Sequence, residues 1–167
     1  MGRFGAELMA SACRGFGIRG VALNGMSERE LFRGKRESLC KECLPLHLTS
    51  GALLDYVEKR TSKDEVSVFF MPTARGPCRF GQYQTYVKNL IERLQIPRTT
   101  VMSLSADDNY GGLGIAFVLR CWYAVIISDI LEEIRNAMLV ASSDPDTATG
   151  ILDEQYENIV MALENGS

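Results

Sequence analysis

The segment Val66–Met71 (VSVFFM) constrains this chain more than any other. It is an uninterrupted apolar run, rich in β-branched and aromatic residues, between the polar Lys63-Asp64-Glu65 and Pro72. A short run of this kind predicts a strand buried on both faces, as in a parallel sheet covered by helices. Thr100–Leu104, after Pro97, predicts a second strand, and Ile18–Leu23 a third, short one. Helical spacing alternates with them. Phe4–Phe16 carries Leu8, Ala12 and Phe16 on one stripe, and Gly15 and Gly17 end it. Asn24-Gly25 signals a turn, after which Ser27 can cap a short helix, with Glu30 at the capping-box position. Pro45 suits the first turn of a helix reaching about Lys59. Gly81–Leu94, Ile115–Leu139 and Ile151–Leu163 complete the set. Gly34–Glu42 and Ser142–Thr149 read as loop and linker. This order predicts an α/β fold: an open, mainly parallel sheet with helices on both faces, a flavodoxin- or Rossmann-like three-layer arrangement. Residues 1–140 are expected to form that domain, and residues 141–167 a linker and a helix packing on it.

A net charge of -3 offers no basic surface, so neither nucleic acid nor an anionic membrane is expected as a partner. The longest apolar stretch, around Ala116–Ile127, contains Arg120 and stops at Ser128, short of the ~20 residues of a membrane span. Met1–Gly17 reads as an amphipathic helix rather than a signal peptide. A cytoplasmic protein is therefore expected, with its five cysteines reduced and available for metal binding, catalysis or burial.

In open α/β sheets, function collects where strands lead through loops into helix N-termini. Two loops have that position. In Pro72–Tyr83 (PTARGPCRFGQY), Gly76 frees the backbone, Pro77 fixes the chain before Cys78, and Arg79 adds a positive charge. Cys78 then falls at a helix start, where a thiolate is stabilised. In Cys40–Gly51 (CKECLPLHLTSG), Cys43 immediately precedes the helix begun by Pro45, and Cys40 makes a C-x-x-C pair with it. Cys13 and Cys121 read as core packing, and His47, the single histidine, as an ordinary helix residue. Asn109, Gly111 and Gly112, in the loop NYGGLG, form a possible ligand loop that lacks G-x-G-x-x-G spacing, and the chain has no P-loop. Asp107-Asp108 reads as a solvated turn. Three readings stay open on these residues: an iron–sulfur site, a zinc site from Cys40, Cys43, Cys78 and His47, and a metal-free binding or assembly module.

The run FFMPTARGPCRFGQY (Phe69–Tyr83) closely resembles a signature of the 2-hydroxyacyl-CoA dehydratase and CoA-substrate-specific enzyme activase proteins, which are similar to the double-cubane-cluster reductases. KECLP (Lys41–Pro45), followed by Thr49-Ser50-Gly51, resembles the same family's second motif; Gly34-Lys35-Arg36, the DNYGGLG loop and the Asp129–Leu131 region follow in the family's order. The likeness covers nearly the whole chain, although such proteins are usually far longer. It implies an oxygen-sensitive iron–sulfur protein of anaerobic metabolism, in which an ATPase module passes an electron at low potential to a cluster-bearing partner. Cys43 and Cys78 match the motif cysteines, and Gly76, Pro77, Arg79 and Gly81 match the loop around the second. The family often has another cysteine where this chain has Leu46, which leaves Cys40 as the candidate replacement. The resemblance thus implies an iron–sulfur cofactor, an ATPase module, a partner subunit or a second copy of the chain as partners, and no independent turnover.

Overall fold

The computed structural model describes residues 4–23, 27–60, 62, 64–71, 73, 76–103 and 112–166. They fall into two compact units: one of residues 26–112, and one built from both ends of the chain, 1–25 with 113–167. The turn expected at Asn24-Gly25 and the acidic pair Asp107-Asp108 lie outside the described residues.

The terminal unit is three helices: α1 (Gly5–Arg14), α5 (Gly114–Ala141) and α6 (Pro145–Asn165). The stripe read from spacing is real at Leu8 and Ala12, which join Phe4, Ala124, Leu131, Leu152, Val160 and Leu163 in one core. Phe4 and Tyr156 pack with ring centroids 4.9 Å apart, and the Tyr156 hydroxyl donates to the Phe4 carbonyl at 2.9 Å. Arg14 ties the ends together through Glu7 and Glu164, both at 2.7 Å. Cys13 and Cys121 sit half-buried here, and burial pushes both thiols up, Cys121 to about 11. Helix α6 begins at Pro145, capped by Asp144, so most of the linker expected at Ser142–Thr149 is helix. Helix α5 outruns its expected apolar stretch. Among the described residues it is the one helix long and apolar enough to cross a membrane, by length and composition alone, and α1 and α6 cover part of it.

The central unit holds α2 (Glu28–Glu37), α3 (Leu44–Lys59), β1 (Ser67–Phe70), α4 (Tyr83–Arg93) and β2 (Thr99–Met102). Ser27 and Glu30 form the expected capping box. Helix α2 continues through Gly34 to Glu37, where a loop was expected, because Gly34 is the point at which α2 meets α3. A Cβ on Gly34 would lie 2.6 Å from the His47 carbonyl carbon, and one on Gly51 of α3 would lie 2.5 Å from that of Glu30, with the oxygens closer still. The two helices therefore touch backbone to backbone at two reciprocal points. Asp55, buried between them, is ringed by Arg29 at 2.9 Å, Arg33 at 3.8 Å and Lys59.

The three-layer α/β expectation is overturned. Among the described residues the sheet has two strands, β1 and β2, parallel and in register from Ser67↔Thr99 to Phe70↔Met102. Ile18–Leu23 forms no strand: the Arg14 guanidinium holds the Gly20 carbonyl at 3.2 Å, and Gly20 presses on the Ala10 backbone. Nor is β1 buried on both faces. Phe69 and its register partner Val101 turn toward Leu53, Val87 and Ile91 of α3 and α4, while Val68 and Phe70 are exposed. Helices thus cover one face of a two-stranded ribbon, and helix dominates the described chain.

Candidate functional site

Cys43 is the N-cap of α3, with extended backbone (φ -76°, ψ 150°) and Pro45 inside the first turn, as the sequence predicts. Its side chain makes no capping hydrogen bond; it turns instead to the hydroxyl of Tyr83 and packs half-buried with Leu46, Met71 and Phe80. Cys78 is exposed and precedes a four-residue 3-10 turn, Arg79–Gln82, that runs into α4. A turn that short is not the α-helix N-terminus expected at Cys78.

The two cysteine segments meet. Glu42, beside Cys43, pairs with Arg79, beside Cys78, at 3.5 Å. Burial first, then the hydrogen bond to Cys43, pushes the Tyr83 hydroxyl well above the ordinary phenol range. Cys40 is exposed in the turn before α3. Gly76 is exposed at φ 150°, and among the described residues, its chain neighbours aside, nothing lies within 4 Å of where its Cβ would be. Pro77 is exposed, and Gly81 is buried inside the 3-10 turn. Of the possible ligand loop, Asn109 and Gly111 lie outside the described residues; Gly112 is exposed at φ 75°.

His47 is buried, with Nδ1 2.6 Å from the Ser38 hydroxyl, which also reaches the Gly34 carbonyl at 2.7 Å. That engagement ties it to the end of α2. Among the described residues, no three His, Cys, Asp or Glu side chains gather closely enough to hold a metal ion, so the zinc set of Cys40, Cys43, Cys78 and His47 is not assembled. A 4Fe–4S cluster takes four thiolates. The residues present fit two positions of such a set, Cys43 and Cys78, and not a complete one.

Tyr83 is the site residue that the spacing of apolar positions hides. Periodicity reads it as one more ring on the buried stripe of α4; only its place five residues after Cys78 marks it otherwise. Tyr86 and Arg93 were equally silent, and both donate to the Glu37 carbonyl at 2.9 Å, closing the end of α2 against α4. A scan against protein-family models finds no match to this chain, and comparisons with curated proteins and with solved structures find none either.

Proposed function

We propose that this chain is an iron–sulfur electron-transfer domain, a component of an ATP-dependent activase or reductase system related to the 2-hydroxyacyl-CoA dehydratases. Cys43 and Cys78 serve as two thiolate ligands, and the others come from a second copy or a cluster-bearing partner subunit. One observation carries the reading: the Glu42–Arg79 pair and the Tyr83 hydroxyl draw the two cysteine segments to one place. Sequence supports it through the resemblance of Phe69–Tyr83 to the family signature. A bound cluster supplies the one-electron chemistry. The chain's own residues have simpler tasks: α3 and the turn before α4 present the two sulfurs, and Cys43 packs half-buried against Leu46, Met71 and Tyr83. An ATPase module is the expected electron source, and the cytoplasm, where thiols stay reduced, the expected setting.

The test is anaerobic reconstitution of the full chain with iron and sulfide, alone and with a thiol-bearing partner. The expected result is broad visible absorbance with iron and sulfide retained through desalting, lost in Cys43→Ser and in Cys78→Ser and kept in Cys13→Ser. Retention that does not depend on Cys43 and Cys78 would overturn the proposal.

A further inference from the structure

Helix α5 has two apolar faces. One, through Ala124 and Leu131, enters the core with α1 and α6. The opposite side carries Leu119, Trp122, Tyr123, Ile126, Ile130 and Ile134, which recur every three to four residues and are 39–59% exposed. A helix that is apolar all round is covered all round in a finished assembly. The size of this second stripe matches an interface between proteins. Six side chains about half exposed offer roughly 500 Å² of apolar surface. Homodimer interfaces are about 65% apolar, so such a stripe accounts for roughly 800 Å² on each copy, the standard for a stable complex. Tyrosine and tryptophan are also the residues that such interfaces concentrate.

Lipid is the other occupant that an apolar helix of this length brings to mind, and the charges argue against it. Because α5 and α6 share one core, a spanning α5 would carry Asp153, Glu154 and Glu157 of α6 toward the bilayer. A helix lying on the membrane surface would want lysine or arginine beside the stripe. The charged residues of α5 that stand exposed are Asp129 and Glu133.

Charge also sets the direction of a protein partner. Residues 114–127 of α5 carry Arg120 and no acid, whereas residues 128–141 carry Asp129, Glu132 and Glu133 against Arg135. Two parallel copies would bring Asp129 and Glu133 against their own duplicates, which repel. Two antiparallel copies set the acidic half of each helix beside the other's N-terminal half, with its Arg120 and the positive end of the helix dipole. The helix is complementary to its own reverse, the condition for a two-fold dimer. We propose that this chain pairs with a second copy through the exposed stripe of α5, antiparallel about a two-fold axis near Ile126. Helix α5 carries neither Cys43 nor Cys78, so the dimer stands or falls independently of the cluster.

Sedimentation equilibrium of the full, reduced chain tests this, with Trp122, the single tryptophan, as an internal probe. The expected result is a dimer at micromolar concentration that dissociates on dilution, with Trp122 emission moving to longer wavelength as it does. Ile126→Glu places an unpaired carboxylate from each copy in the seam and is expected to weaken pairing at least a hundredfold, with helix content by circular dichroism unchanged. Phe32→Glu, the same change at an exposed ring of α2, is expected to leave pairing as it was. Joint replacement Asp129→Asn and Glu133→Gln reads the direction: antiparallel pairing loses attraction and weakens roughly two- to fivefold, and tighter pairing overturns the antiparallel arrangement. A chain that sediments as a monomer at every concentration overturns the dimer, as does a dimer that Ile126→Glu leaves intact. A monomer that floats with phosphatidylcholine–phosphatidylserine vesicles, and stops floating in Ile126→Glu, overturns it too and assigns the stripe to lipid.

Discussion

Adding a single methyl group at Gly34 tests the backbone-to-backbone contact between α2 and α3. The Cβ of Gly34→Ala would stand 2.6 Å from the His47 carbonyl carbon, against 3.4 Å or more for ordinary contact. The opposing atoms are backbone, so no rotamer change relieves the clash, and the helices must part by about an ångström. Overpacking of this kind costs roughly 1–3 kcal/mol, and the rigid partner places it at the upper end. Replacing a mid-helix glycine by alanine returns about 1 kcal/mol of helix propensity. The net loss is therefore about 2 kcal/mol, a fall of about 1 M in urea midpoint for a small unit. Gly51→Ala should behave alike, and the double variant should lose less than the sum, because one separation serves both methyls. Gly150→Ala in α6 is the control: nothing lies within 4 Å of its Cβ, so it should gain roughly 0.5–1 kcal/mol. Urea titration followed by hydrogen exchange in α2 and α3 peptides reads the effect where it arises. A Gly34→Ala chain as stable as the wild type would refute the close contact and the reasoning built on it.

Two further outcomes follow from the charges and thiols. Asp55→Ala removes the carboxylate shared by Arg29, Arg33 and Lys59 and should cost about 2 kcal/mol in urea unfolding, discounted from a fully buried pair because the cations are solvated; the difference from wild type should shrink at high salt. The exposed Cys40 and Cys78 should alkylate before Cys13 and Cys121 at neutral pH, as burial keeps the latter two protonated. The Cys121 thiol sits higher folded than unfolded. Its contribution is present below the ordinary thiol value of 9.0 and lost as pH rises toward about 11, so a Cys121→Ala chain should lose less stability across that window.

The helices were legible in the sequence because each announces itself locally. Ser27 and Glu30 cap α2, Pro45 starts α3, and Leu8, Ala12, Val87 and Leu90 recur at helical spacing on buried faces. The sheet was not legible, because pairing is a long-range decision. Ile18–Leu23 has strand-like composition, but Gly20 lets it fold back onto α1, and that contact wins over a ladder. VSVFFM looks doubly buried by composition, yet only alternate residues find helices to cover them. The cysteines follow the same division. Their positions before helical segments were readable from Pro45 and Gly76-Pro77, whereas the approach of their two segments rests on the Glu42–Arg79 pair and the Cys43–Tyr83 contact. Gly34 and Gly51 have a packing role here: they let α2 and α3 touch.

The terminal unit has a consequence for how the chain is made. The bond from Tyr156 to Phe4 spans 152 residues. At roughly 5–20 residues per second, α1 is synthesised about 8–30 s before α6 is there to cover it. Through that interval Phe4, Leu8 and Ala12 have no completed core to enter, while residues 26–112, contiguous in sequence, can finish folding. Biosynthesis thus leaves the apolar face of α1 waiting in water, and any stall in translation before α5 prolongs that wait.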